Sequence, residues 1–227
     1  MRKFLTISAV VLTASLFLSV LCFGEVITRL PTNEKVVSLT FDACETRTPS
    51  YLDKSILNYL LGEHIPFTIF VSGKFAARNS SELSELSKNE LASIENHSLT
   101  HPSHMERLNS GGISKEVMDN QNLIERISGR RPVFFRFPAG NCDNRSVKTV
   151  EELGYRVVHW TFPSGDPARN VTADKMYQWV LSKVKPGSIL IFHINGRGYH
   201  TGEALPRIVR ELKRLGYRFV KLEDYLL

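Results

Sequence analysis

The chain has 227 residues, 42% of them hydrophobic and 23% charged, and its formal net charge at pH 7 is +6. This ordinary balance predicts one large globular domain or two small ones. Lys and Arg form no dense stripe interleaved with aromatic residues, so we expect no nucleic acid partner.

Residues 1–24 differ from the rest of the chain. Arg2 and Lys3 precede an uncharged apolar run over residues 4–23, a pattern typical of a secretory signal peptide. The run is also long enough to cross a bilayer, so an uncleaved membrane anchor is the alternative. In either case we expect residues 25–227 to be one exported domain, periplasmic or extracellular. It would contact the membrane only through residues 1–24.

Strand-like and helix-like stretches alternate from residue 35 onwards. Apolar β-branched runs predict strands over 36–41, 67–71, 133–137, 155–161, 188–193 and 217–222, with a further short strand before residue 97. Amphipathic stretches predict helices over 51–61, 81–89, 114–127, 146–153, 172–184 and 202–215. About seven strands alternating with helices indicate an α/β domain of parallel βαβ units, either a barrel or a doubly wound sheet.

Both architectures have their functional side chains at the carboxyl ends of the strands. The conspicuous polar residues of this chain follow predicted strands in the same way. They are Asp42, His97, His101, Arg136, Asp166 and His193. Their common position predicts an active site at that end of the sheet.

His97 and His101 are four residues apart, a spacing that brings two imidazoles to one side of a helical turn and lets both face one metal ion. Such a pair needs a third protein ligand and, for catalysis, an open position. Asp42 is the candidate general base, and His193 would protonate a leaving nitrogen. The chemistry that suits this set is metal-assisted hydrolysis of an amide or ester.

Two further charged residues would support this chemistry. Arg136 would pair with a carboxylate and hold it ionised, and Asp166 would orient and charge His193. Structural roles are the alternatives. Asp42 would then cap a turn, Arg136 would form a surface ion pair, His193 would be a buried histidine and Asp166 a turn residue.

Five short motifs carry a resemblance to a known family. Thr-Phe-Asp stands at residues 40–42, His-Ser-Leu-Thr-His-Pro at 97–102, Arg-Phe-Pro-Ala-Gly at 136–140, Trp-to-Asp at 160–166 and Ile-Phe-His at 191–193. In this order and spacing they resemble the polysaccharide deacetylases, carbohydrate esterase family 4, over about residues 36–226.

The resemblance implies a distorted (β/α) barrel that removes acetyl groups from a peptidoglycan-like or chitin-like glycan. It also implies a divalent metal, zinc, cobalt or nickel, held by His97 and His101. By motif position Asp42 would be the base and His193 the acid. The backbone N–H of Ala139 would help to hold the oxyanion.

The chain departs from the family pattern next to the base. Family members usually carry a second Asp as the third metal ligand, and here that position is Ala43. Two histidines without a carboxylate should bind metal more weakly. Asp42 itself, Glu45 or Cys44 would be the substitute ligand.

Cys44 follows the first motif and Cys142 follows the third. Both would lie on loops at one end of the barrel, within the roughly 4.4–6.8 Å between Cα atoms that a disulfide needs. We therefore expect a Cys44–Cys142 disulfide. A disulfide would exclude Cys44 as a metal ligand.

Three functions compete at this point. The first is an exported metal-dependent polysaccharide deacetylase. The second is a non-catalytic glycan-binding relative, which Ala43 favours, and the third is a hydrolase of another non-peptide carbon–nitrogen bond. The base, the acid and their partners favour the first, because a binding protein needs neither an acid nor a base.

Overall fold

The computed structural model describes residues 24–47 and 49–227. Nine strands form one sheet: β1 (Val26–Ile27), β2 (Val36–Ala43), β3 (Phe67–Val71), β4 (Ala92–Asn96), β5 (Phe134–Phe135), β6 (Arg156–Val158), β7 (Phe162–Pro163), β8 (Ser188–His193) and β9 (Arg218–Phe219). The α-helices are α1 (Lys54–Gly62), α2 (Gly73–Arg78), α3 (Ser80–Leu86), α4 (Ser110–Ser128), α5 (Asn144–Glu152), α6 (Ala173–Lys183), α7 (Thr201–Arg214) and α8 (Glu223–Leu226).

The strands run in the order β1-β6-β5-β4-β3-β2-β8-β7, and β9 pairs with β2. Each strand pairing is parallel. The sheet curls into a half-barrel covered by helices, so the predicted distorted (β/α) barrel is confirmed. The sheet has nine strands rather than about seven, because two-residue strands such as β1 and β7 are too short to leave a periodic pattern in the sequence.

The alternation of side chains along β2 explains how the barrel positions its polar residues. Val37, Leu39, Phe41 and Ala43 belong to the large apolar cluster that includes residues of α1, α6 and α7. The residues between them point to the opposite side, the barrel interior, because successive side chains of a strand alternate between faces. Asp42 therefore points into the barrel at the carboxyl end of β2.

The strands next to β2 end at the same edge of the sheet as β2. Asp42 is paired in register with His193 of β8, and Val71 of β3 is paired with Asn96 of β4. His97 follows Asn96 directly. Parallel pairing thus brings residues that are far apart in the sequence to one end of the sheet.

Helix α4 begins four residues earlier than predicted. Its first turn contains Gly111 and Gly112, which have low helix propensity, so the sequence pattern starts only after them. The Asn109 side chain compensates by accepting a hydrogen bond from the Gly112 N–H at 2.8 Å. Gly129, with a φ of 68°, ends the helix in the left-handed conformation.

Among residues 24–47 and 49–227, no helix is both long and apolar enough to cross a membrane. The predicted signal peptide or anchor lies, apart from Gly24, outside the described residues. Its cleavage and the export of the domain stay predictions.

Candidate active site

A cavity of about 310 Å³ opens at the carboxyl ends of the strands. Five of the residues predicted for the active site line it: Asp42, His101, Ala139, Asp166 and His193. His97 and Arg136 are buried in contact with Asp42, with 1% and 0% of their surfaces exposed. The fold thus brings together all the predicted site residues except Cys142, which does not line the cavity.

Asp42 and Arg136 form a buried ion pair, with 2.8 Å between Arg136 Nη1 and Asp42 Oδ1. Burial alone would raise the pKa of Asp42, but His97 and Arg136 outweigh that effect and lower the pKa to about 2. Burial also lowers the pKa of His97, so at neutral pH the guanidinium is the permanent cation of this group. Asp42 is therefore ionised over the whole neutral range.

The Arg136 guanidinium is held in one orientation by four hydrogen bonds. Besides Asp42, its acceptors are the carbonyls of Val158 and His159 and the Thr40 hydroxyl, at 2.9–3.1 Å. The guanidinium also lies 4.0 Å from the centroid of the Phe70 ring. A fully buried Arg with satisfied donors is a rigid partner, so the Asp42 carboxylate is fixed in position.

His193 and Asp166 form a second charge pair on the other wall of the cavity. The His193 Nδ1–H donates to Asp166 Oδ1 at 3.0 Å, and the backbone N–H of His193 donates to Oδ2 at 2.6 Å. Ser164 and Thr201 hydroxyls donate one further hydrogen bond to each oxygen, both at 2.9 Å. Burial alone would lower the pKa of His193, but the hydrogen bond and charge of Asp166 outweigh burial and raise it.

His97 is oriented by the backbone of the third motif. Its Nδ1 lies 2.8 Å from the carbonyl oxygen of Arg136, which can only accept, so Nδ1 carries the proton. The unprotonated Nε2 then faces Asp42 Oδ2 at 3.4 Å. Two acceptors that face each other repel unless a proton or a cation lies between them.

His101 lies on a loop, so the predicted helical turn is wrong. Both Ser98 and His101 have positive φ values, 66° and 57°, which no helix contains. The loop still brings the two imidazole centroids to 4.8 Å from each other. His101 Nδ1 is buried without a hydrogen-bond partner, and burial is the main cause that lowers the pKa of His101 to about 3.

These features fit a divalent metal in part. Neutral histidines, one with a free nitrogen aimed at a carboxylate and one with an unpartnered buried nitrogen, are suitable ligands. In the described part of the chain, however, no three His, Cys, Asp or Glu side chains form a group that could hold a metal ion. The site therefore has two good donors and lacks a preformed third.

The third-ligand position of the family is closed in this chain. Ala43 is fully buried within the outer apolar cluster and offers no ligand atom. Glu45 is ruled out as the substitute because its carboxylate binds Arg78 and the backbone N–H of Ser50. Asp42 Oδ2 is left as the carboxylate oxygen that faces the histidines.

The predicted disulfide is not formed, since Cys44 and Cys142 are both free thiols. Cys44 is buried against the loop after β8, where Asn195 Nδ2 lies 3.4 Å from its sulfur. Cys142 packs instead on the apolar cluster around Met105 and Phe137. The two loops share one end of the barrel, but their cysteines pack on different neighbours.

Sequence reasoning missed two groups of residues at this site. Ser164 and Thr201 complete the hydrogen bonding of Asp166, and Arg197 lines the cavity. Arg197 stands between two glycines, four residues after the end of a predicted strand. That pattern was the available signal for a loop that approaches the site closely.

Comparison with known proteins gives the family of the chain. A family model described as polysaccharide deacetylase matches residues 29–158. The peptidoglycan-N-acetylglucosamine deacetylase of Bacillus cereus is 29% identical over 206 residues, which are 89% of this chain and 93% of the relative. The peptidoglycan-N-acetylmuramic acid deacetylase of Bacillus subtilis is 28% identical over 198 residues, 86% of this chain and 73% of the relative.

Solved structures agree with these relatives. One of them is a mutant of a carbohydrate esterase family 4 pseudoenzyme from Bacillus anthracis, a mutant with restored enzymatic activity. Its TM-score is 0.79 at 26% identity, and the match covers 90% of this chain and 72% of the mutant's chain. A family 4 acetyl xylan esterase from Clostridium thermocellum in complex with a cobalt ion has a TM-score of 0.74 at 26% identity, covering 84% and 90%. Because the family model matches more than half of the chain and the relatives agree with it, the chain belongs to the polysaccharide deacetylases, the hydrolases of carbohydrate esterase family 4.

Proposed function

We propose that this chain is an exported, metal-dependent hydrolase that removes acetyl groups from an N-acetylated or O-acetylated polysaccharide of the peptidoglycan or chitin type. One observation carries the proposal. A candidate base and a candidate acid line the same cavity, and each is backed by a buried partner of opposite charge. The relatives named for peptidoglycan deacetylation support the substrate class.

In this proposal Asp42 takes the proton of the attacking water. Arg136 occupies Oδ1, so Oδ2 is the oxygen that accepts the proton. A carboxylate whose pKa is about 2 is a weak base for ordinary water. A bound divalent metal would supply the missing chemistry, because it lowers the pKa of water and polarises the acetyl carbonyl.

His193 gives a proton to the leaving amine. Its Nδ1–H is committed to Asp166, so Nε2 carries the proton that is transferred. The pKa that Asp166 raises favours the protonated form. The backbone N–H of Ala139, a residue that lines the same cavity with a left-handed φ of 56°, is the proposed donor to the oxyanion.

His97 Nε2 and His101 would hold the metal, which we expect to be zinc, with cobalt or nickel as alternatives. The opposed acceptors of His97 and Asp42 and the unpartnered Nδ1 of His101 support a cation at this point. The cobalt complex of the related acetyl xylan esterase supports it further. Asp42 Oδ2 lies 3.4 Å from His97 Nε2, so in this chain one lone pair of Oδ2 would contact the metal and the other would accept the proton of the water.

A non-catalytic glycan-binding protein is the second candidate function. Ala43 favours it, and so does the likeness to a pseudoenzyme of the same family. The same base and acid would also suit hydrolysis of another non-peptide carbon–nitrogen bond. Neither alternative would release acetate from an acetylated glycan, whereas the proposed function would.

The decisive experiment combines metal analysis of the purified protein with acetate release from N-acetylglucosamine oligomers and from peptidoglycan. Wild type, His97→Ala and Ala43→Asp are compared at equal metal concentrations. We expect acetate release by the wild type, its loss in His97→Ala and tighter metal binding in Ala43→Asp. No acetate release by the wild type from any of these glycans, together with no bound metal, would refute the proposal.

A further inference from the structure

Arg197 lines the catalytic cavity with a guanidinium that pairs with no carboxylate among residues 24–47 and 49–227. Among the described residues, its guanidinium donates a hydrogen bond to Cys44 Sγ, 3.7 Å from Nη1. A thiol is a weak acceptor and cannot satisfy a guanidinium. Cys44 stands two residues after the candidate base, so this cation lies next to the reacting centre.

The loop that carries Arg197 is fixed at several points. The Asn195 side chain donates to the Cys44 carbonyl and accepts from the Arg197 N–H. Gly198 packs so tightly that a Cβ there would come within 2.3 Å of the His193 carbonyl and 2.9 Å of Asp166 Oδ2. These contacts hold the Arg197 backbone at the cavity.

The other charges at the cavity are already balanced. Asp42 is paired with Arg136, and both oxygens of Asp166 are taken by His193, Ser164 and Thr201. Arg197 therefore remains as one surplus positive charge. A guanidinium without a carboxylate partner, on a backbone held at the cavity, is suited to bidentate binding of a carboxylate.

We propose that Arg197 is a specificity-determining residue that binds the carboxylate of an acidic N-acetyl sugar; this inference rests on the deacetylase function proposed above. N-acetylmuramic acid is the sugar of this kind in peptidoglycan, because the carbon next to the one that bears the acetamido group carries a lactyl ether that ends in a carboxylate. N-acetylglucosamine lacks that group. The Arg197 guanidinium would thus select between N-acetylmuramic acid and N-acetylglucosamine, the two sugars for which the relatives of this chain are named.

The test compares two forms of one substrate, muramic-acid-containing glycan strands with a free lactyl carboxylate and the same strands with that carboxylate amidated. The variants are Arg197→Gln and Arg197→Lys. Arg126→Gln is the matched control, because Arg126 lies in the last turn of α4. Helix α4 connects the parallel strands β4 and β5, so its last turn lies at the end of the barrel opposite to the site. Acetate release gives kcat and KM for each combination.

We expect wild type to prefer the free acid and Arg197→Gln to lower kcat/KM on it about ten- to hundredfold, the value of a charge-assisted hydrogen bond. On the amidated strand the loss should be roughly twofold at most, with Arg197→Lys intermediate and Arg126→Gln unchanged. Equal losses on both strands, or no wild-type preference, would overturn the proposal.

Direct titration of both strands into the protein by calorimetry separates this inference from the proposed function. If no acetate is released but the free acid binds more tightly than the amide in wild type and not in Arg197→Gln, the deacetylase proposal fails and the role of Arg197 stands. If acetate is released from both strands equally and binding shows no preference, the opposite holds.

Discussion

The two charge pairs of the cavity and the histidine pair beside them differ in how fully their polar atoms are satisfied. Arg136 has all its hydrogen-bonding nitrogens engaged, and both oxygens of Asp166 accept two bonds each. Next to them, His101 Nδ1 is buried without a partner, and His97 Nε2 faces a carboxylate oxygen. Both regions belong to one cavity.

The difference indicates which part of the site is preorganised by the protein alone. The charge pairs keep their geometry without any ligand, because each group is held by several neighbours. A buried polar atom without a partner costs about 1–3 kcal/mol, so the histidine pair should be stabilised by whatever cation it binds. Changes to the charge pairs should therefore damage the fold, whereas changes near the histidines should act mainly on metal binding.

The largest effect is expected from Arg136→Met, which leaves the Asp42 carboxylate buried and unpaired. We expect a loss of about 3–5 kcal/mol in the free energy of unfolding, measured by urea denaturation, together with loss of activity. The double variant Asp42→Asn with Arg136→Met is the control. It should recover part of the stability, and a double variant less stable than Arg136→Met would contradict the buried pair.

Acid denaturation gives the same pair a pH signature. The pKa of Asp42 is about 2 in the folded protein against the ordinary 3.8, so its contribution to stability is present above pH 3.8 and is lost as the pH falls towards 2. In Arg136→Met burial should raise the pKa of Asp42 above the ordinary 3.8, so Asp42 should destabilise the variant at neutral pH and this penalty should be relieved as the pH falls. An unchanged acid limb in this variant would show that Arg136 does not set the pKa.

Asp166→Asn should have the second largest effect. The amide keeps the shape of the carboxylate but removes the charge that raises the pKa of His193, so the acid loses its proton at lower pH. We expect kcat to fall about 10²–10³-fold and the alkaline limb of the pH–rate profile to move to lower pH. A fall in kcat without a shift of that limb would indicate a structural role alone.

The positions of the site residues at the strand ends could be predicted from the sequence, because the register of parallel strands determines them. Asp42 and His193 each close a buried apolar strand, and parallel pairing sets them side by side. The ion pair of Asp42 with Arg136 was likewise foreseeable as the pairing of a base with a cation. Local patterns were sufficient here, since each residue's position follows from its own strand.

Loop geometry could not be predicted in the same way. His101 reaches His97 through two left-handed residues, and such conformations are not encoded in the spacing of histidines. The cysteines were expected to meet because their loops share one end of the barrel, but each thiol packs on a different set of neighbours. Both outcomes depend on tertiary contacts that join distant segments.

Ala43→Asp tests the histidine side of the comparison. Residue 43 is the last of β2, and a charged side chain there avoids the apolar cluster by turning towards the histidines at the strand end, so it should tighten metal binding about tenfold or more, measured by competition with a chelator. It should also cost about 1–3 kcal/mol in the metal-free protein, because residue 43 is buried among apolar side chains. Ala43→Asn is the control, with the same cost but a much smaller gain in affinity; equal affinity in wild type and Ala43→Asp would mean that the third ligand is not missing.

Cys44→Ser should have the smallest effect and decides whether the thiol beside the base is a ligand. The Cys44 sulfur contacts Asn195 and Arg197, and burial is the main cause that raises its pKa, so the neutral thiol is favoured over the thiolate that binds metal. We expect unchanged metal affinity and a stability change within about 1 kcal/mol, equal to that of Cys142→Ser. A reductant should leave the melting temperature unaltered, because neither thiol is paired. A drop in metal affinity confined to Cys44→Ser would assign the third ligand to sulfur and leave Asp42 free to act only as the base.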